Sequence, residues 1–191
     1  VGLGVKIDKW IISQALRSIK SIGDEDIQIF VHLSSVSLID DSISDFIDRT
    51  FLNSKLDKKR LIFQFDEEDA ANHLKRVIAL AANLKSKGYI CCLSKFGADL
   101  EQVQLIDQLD VDYVKISDKI SDNLHLDPES TARIQSLLDE IHNRDKLSII
   151  PKVEEAAMLA ALWPMNVCYI QGFYLQRPSA KLNYDFSSSG F

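Results

Sequence analysis

At 191 residues the chain has room for one ordinary domain, and with 46% hydrophobic residues it can bury a proper core. A formal net charge of −6 argues against the basic face that a nucleic acid polymer needs, while leaving room for a local basic pocket around a small phosphorylated ligand. No apolar run of 18 residues and no leader pattern occur, so no membrane insertion is expected, and three cysteines without metal-type spacing (Cys91, Cys92, Cys168) suit core packing in a reducing cytoplasm.

In chain order, Ile7, Trp10, Ile11 and Leu16 recur near helical spacing and predict a helix over Val5–Ile19. The apolar run Ile27–Leu33 reads as a buried strand, 42–51 as a helix and Leu61–Phe65 as the next strand. Glu68–Lys87 carries a stripe of Ala71, Leu74, Val77, Ile78, Ala81 and Leu84, with Gly88 as its stop. Tyr89–Leu93 is a strand, Leu100–Leu109 a helix and Tyr113–Ile116 a short strand. Glu129–Asn143 is a helix with Pro128 at its start, Leu147–Ile150 a strand, Glu154–Trp163 a helix closed by Pro164, and Val167–Ile170 the last strand. A polar, serine-rich tail follows from Ser179, loosely ordered beyond Phe186.

Six strands separated by helices imply an α/β fold with a parallel sheet and right-handed crossovers. The pattern leaves two architectures, a doubly wound open sheet or a (β/α)8 barrel cut near its N-terminus, since a full barrel needs eight strands and about 250 residues. Either way the chemistry belongs beyond the carboxyl ends of the strands. In chain order, the strand ends carry His32 with Ser34, Asp66 with Glu67, Ser94 with Lys95, Lys115 with Ser117, Pro151 with Lys152 and Glu154, and Gln171-Gly172-Phe173. A two-metal phosphodiesterase needs a denser carboxylate cluster than Glu67, Glu154 and Asp66 supply, so no metal is expected. His32 reads first as a structural hydrogen-bonding residue and second as a ligand or base. Lys115 fits a phosphate partner or a structural ion pair equally well. Gln171-Gly172-Phe173 reads either as base edge, close approach and stacking for a ligand, or as a tight turn with a core Phe.

Taken together the strand ends resemble the EAL-domain family of cyclic di-GMP phosphodiesterases. GLGVKIDKWIISQA from Gly2 is similar to that family's GL-x-x-x-LD-x-WVL helix, and VHLS from Val31 to its VNLS strand. LIFQFDE from Leu61 resembles LxLEITE, and LSKFG from Leu93 the LDDFG signature. VDYVKIS from Val111 resembles VDYLKID, IPKVE from Ile150 AEGVE, and QGFYLQRP from Gln171 QGYLFSRP. The resemblance implies a TIM-type (β/α)8 EAL barrel, here N-terminally truncated to about six βα units. It also implies a partial degenerate EAL domain over 1–186 and a flexible tail over 187–191. The family's first strand, with its Glu-Ala-Leu motif, would precede Val1.

The departures imply loss of catalysis. His32 replaces the family Asn, Ser94 and Lys95 the paired aspartates, Ser117 the Asp of KID, and Pro151 the first Glu of EGVE. Glu67, Lys115 and Gln171 survive. The resemblance, closest to FimX-like regulators of type IV pili, implies an inactive EAL domain without cofactor that binds cyclic di-GMP as a regulatory ligand. It would signal by docking a PilZ-type adaptor in the cytoplasm, as a monomer or homodimer. The ligand-binding set it implies is Gln171, Gly172, Phe173, Pro178, Glu154, Lys115, Glu67 and Ser34. The alternative is a protein-interaction module with an empty pocket. In a further reading, an exposed apolar patch on the N-terminal helix or the last barrel helices takes the partner.

Overall fold

The computed structural model of the protein describes residues 2–22, 27–98, 104–121 and 128–179. Six strands pair in sequence order and all in parallel: β1 (Ile29–His32), β2 (Leu61–Asp66), β3 (Ile90–Phe96), β4 (Tyr113–Ile116), β5 (Leu147–Ile150) and β6 (Tyr169–Ile170). This order decides between the two architectures. A doubly wound sheet reverses direction at a switch point, whereas a strand order that never reverses is an arc of a barrel. The sheet is a curled half-barrel.

Alternation divides each strand between two faces. Phe63, Phe65, Cys91, Leu93, Val114 and Ile150 face the helices and join the main core, while Ile62, Cys92, Tyr113 and Ile149 form a smaller cluster on the concave side. Neighbouring Cys91 and Cys92 thus point to opposite faces, and burial pushes both thiols up to about 12. Cys168, by contrast, is exposed.

The helices are placed by what they bury. α1 (Leu3–Ile22) turns Val5, Asp8, Ile12, Ala15, Leu16 and Ile19 inward. Ile7 and Trp10, expected in its stripe, are 46% and 62% exposed. The helix is apolar on two sides, and its rotation is set by Asp8, whose carboxylate accepts bonds from the backbone N–H (2.8 Å) and Oγ (2.6 Å) of Ser34. After β1 come α2 (Ser35–Leu38) and α3 (Ser42–Leu52). The helix expected over Glu68–Lys87 is two, α4 (Glu67–Asn72) and α5 (Leu74–Ser86), because the chain leaves helical geometry at His73 (φ −126°, ψ 32°). That bend lets α4 bury Glu67 and Ala70 while α5 buries Val77, Leu80, Ala81 and Leu84.

α5 ends as its sequence predicts. Gly88 (φ +86°) follows the last turn, its N–H reaches the Lys85 carbonyl, and the Tyr89 N–H reaches that of Leu84. This is the paired closure a left-handed glycine allows. The remaining helices are α6 (Leu105–Gln108), α7 (Asp118–Ser121), α8 (Pro128–His142) and α9 (Ala156–Leu162). The start of the helix expected over Leu100–Leu109 and the serine-rich tail lie outside the described residues. None of the described helices is long and apolar enough to cross a membrane.

Candidate functional site

The carboxyl ends of β2 to β6 surround a cavity of about 640 Å³, well within the range for small-molecule sites. Gln64 and Asp66 reach it from β2, two residues apart on one face. Asp66 is the hub. It accepts from Ser94 Oγ (2.7 Å) and Lys95 Nζ (2.6 Å), and His32 Nδ1 lies 3.8 Å away. Burial pulls its pKa upward, but the bonds from Lys95 and Ser94, with the charges of His32 and Lys95, outweigh this and hold the carboxyl below its usual range.

Lys95 reaches Asp66 because β3 carries a bulge. The register runs Leu93↔Val114 and then Phe96↔Ile116, so β3 spends three residues where β4 spends two. The extra residue turns Lys95 into the left-handed region (φ 56°). Ser94 keeps its concave orientation, Phe96 returns to the core, and Lys95 also lines the cavity.

On β4, Lys115 Nζ donates to Gln64 Oε1 (3.0 Å) and sits 5.3 Å from the centre of the Phe30 ring. Burial lowers its pKa. The sequence left Lys115 between ion pair and phosphate partner; in the structure it meets an amide oxygen and a ring. Beyond β5, Lys152 (φ 56°) pairs with Asp118 (3.4 Å) at the start of α7.

The β6 turn is built on Gly172. A Cβ there would stand 2.0 Å from the Val153 carbonyl oxygen and 2.3 Å from its nitrogen. Gly172 therefore serves backbone-to-backbone approach, with Val153 N–H donating to the Gln171 carbonyl (2.9 Å) and Tyr174 N–H to that of Val153 (3.1 Å). Phe173 is 55% exposed at the cavity and is no core residue.

Of the residues expected to bind ligand, Lys115, Glu154, Gln171, Gly172, Phe173 and Pro178 line this one cavity. Two do not. Glu67 opens α4 buried at 3% exposure, and its carboxylate accepts the Gly97 N–H (3.2 Å), pinning the turn after β3. Ser34 sits at the start of α2, committed to Asp8. Gln64, Asp118, Gln176 and Arg177 also line the cavity and were not singled out. Period-two alternation placed Gln64 on Asp66's face and could have found it; Arg177 needed the folded loop.

The described residues offer one grouping of metal-type donors, His32, Asp66 and Asp69, with ligand atoms within 4.8 Å of one another. It does not fit the divalent pair that an EAL phosphodiesterase uses. Asp66 already holds an ammonium and a hydroxyl, and a divalent cation arriving about 4 Å from Lys95 Nζ meets repulsion of about 4 kcal/mol for each unit of its charge in a partly shielded site.

Residues 1–178 match the family model of the EAL domain. The chain belongs to the EAL family. Its structure is similar to the crystal structure of a FimX EAL domain, with TM-score 0.92 and 34% identity over 97% of this chain and 75% of that one. It is equally similar to the Pseudomonas aeruginosa FimX EAL domain bound to c-di-GMP (TM-score 0.91, 34% identity, the same coverage). Among curated proteins it is 24% identical to the cyclic di-GMP phosphodiesterase PdeB of Shewanella oneidensis, over 94% of this chain and 21% of that protein. It is also 24% identical to the probable cyclic di-GMP phosphodiesterase PdeG of Escherichia coli, over 93% and 36%. The EAL chain thus spans about a fifth to a third of the length of these curated relatives.

Proposed function

We propose that this EAL domain is a cyclic di-GMP receptor that binds without metal and does not hydrolyse its ligand. One observation carries the reading: in the strand-end cavity, the ammonium of Lys95 occupies Asp66. In an active phosphodiesterase, divalent ions activate the attacking water and neutralise the phosphate. Here the charge at that position belongs to the protein and activates nothing. The other groups suit a purine dinucleotide. Gln171 offers an amide to a base edge, Phe173 an open ring face for stacking, and Lys115 and Arg177 cations for phosphate. The c-di-GMP complex of the Pseudomonas aeruginosa FimX EAL domain, at 34% identity, supports this ligand.

Isothermal titration of cyclic di-GMP with EDTA present tests it: micromolar or tighter binding is expected, with no hydrolysis when Mg2+ or Mn2+ is supplied. Robust turnover would sink the inactive reading; no binding at high ligand concentration would sink the receptor.

The finer reading is a cytoplasmic regulator that docks a PilZ-type adaptor and acts on type IV pili, supported by the likeness to FimX. A homodimer belongs to the same reading, and light scattering reads it directly. A second reading, docking without nucleotide, is favoured by the exposed Leu3, Ile7 and Trp10 of α1. Alanine substitutions there that left adaptor capture intact would remove it.

A further inference from the structure

Two lysines at the cavity share a peculiarity that the proposed function leaves unused. Lys95 and Lys152 both adopt φ 56°. Left-handed backbone is costly for a long side chain and free for glycine. Such strain, where it persists, concentrates at ligand clamps and active sites. Five described non-glycine residues have positive φ, and these two line the same cavity.

Their electrostatics are parallel as well. Each ammonium faces a carboxylate at or just beyond the carboxyl end of a neighbouring strand, Lys95 on Asp66 (2.6 Å) and Lys152 on Asp118 (3.4 Å). The bond to Asp66 raises the Lys95 pKa, and Asp118 contributes too, so both lysines lie within the field of Asp118. Both side chains remain open to solvent, at 64% and 47% exposure. Ion pairs this exposed are weak, so an incoming anion can draw the ammonium away on its flexible four-carbon stem. Around the cavity the sign of the molecule reverses: Lys95, Lys115, Lys152 and Arg177 stand against Asp66, Asp118 and Glu154, in a chain of net charge −6.

We infer that Lys95 and Lys152 form a paired cationic clamp for the phosphodiester groups of a cyclic dinucleotide, held ready by Asp66 and Asp118 until the ligand takes them over. The inference rests on the reading of the cavity as a cyclic di-GMP site, and assigns the charge that metal would otherwise supply to two side chains on the bulge of β3 and the turn after β5.

The test uses Lys95→Gly, Lys152→Gly and the double variant, titrated calorimetrically with cyclic di-GMP in EDTA at low and high NaCl. Glycine relieves the strain at φ 56° as it removes an exposed, weak ion pair, so thermal stability should change little, and lost binding then reports lost charge. Each single variant should weaken binding about tenfold, the scale of one charge-assisted bond. The double variant should weaken it further and flatten the salt dependence, while Lys95→Arg and Lys152→Arg keep most of the affinity. Wild-type affinity and salt dependence in the double variant would overturn the clamp and leave the receptor standing. Arginine variants as weak as the glycine ones would also overturn it. A protein that binds no cyclic di-GMP at all would take down both.

Discussion

The two faces of the half-barrel come from the same six strands and obey opposite rules. On the helix side, Phe63, Phe65, Val114 and Ile150 are wholly buried among hydrocarbon. On the concave side, β2 presents Ile62, then Gln64, then Asp66, moving from apolar cluster to ion pair in two steps along one face. One face supplies stability. The other gives some up: it buries a lysine, strains two more at positive φ and gathers three carboxylates and four cations around one space.

The comparison breaks first where its contrast is largest. Phe65→Ala opens a cavity in the main core on the helix side of the sheet and is expected to cost about 3–5 kcal/mol, read as a lower denaturant midpoint with unchanged slope. A loss below about 1 kcal/mol would mean that the helix face does not hold the fold. Next comes Gly172→Ala, the point where the site relies on packing as tight as the core. Its methyl would collide with the Val153 backbone, so a loss of about 1–3 kcal/mol is expected, together with weaker cyclic di-GMP binding as Gln171 and Phe173 shift. Lys115→Met sharpens the contrast from the other side. Removing a charge that burial disfavours should change stability by less than about 1 kcal/mol in either direction, while calorimetry shows reduced ligand affinity.

The smallest effect is the pH dependence carried by Asp66. Its folded pKa lies below its unfolded value, so it binds its proton less readily when folded. Its contribution is therefore present above about pH 4 and lost as pH falls through the folded value. Asp66→Asn should flatten the acid limb of stability against pH by up to about 1 kcal/mol, given the exposure of Lys95. An unchanged acid limb would show that the hub carries no stability of its own.

Much of the fold was legible locally. Strands β4 and β5 fall where their apolar runs place them, because a buried parallel strand is apolar on both faces. Pro128 opens α8 and Gly88 closes α5, since each acts through its own backbone geometry. Helix phase was less legible: α1 offers two apolar sides, and a hydrogen bond to Ser34, 26 residues away, chooses between them. The site was legible as a set of strand ends and illegible in its roles. Glu67 follows Asp66 directly, yet the turn into α4 sends one carboxylate to the cavity and buries the other beneath Gly97.

What the sequence by itself determined was the alternation of strands and helices, the strand-end residues and the family, because these depend on short-range periodicity and on motif residues in order. Only the tertiary structure decided that the sheet curls as a barrel arc and that Lys95 sits on Asp66 through a one-residue bulge. It also decided that Gly172 serves the Val153 backbone in the turn after β5 and that Lys95 and Lys152 share one strained geometry around one cavity. Each of these depends on which strand lies beside which, a relation between residues far apart in the chain that local periodicity does not encode.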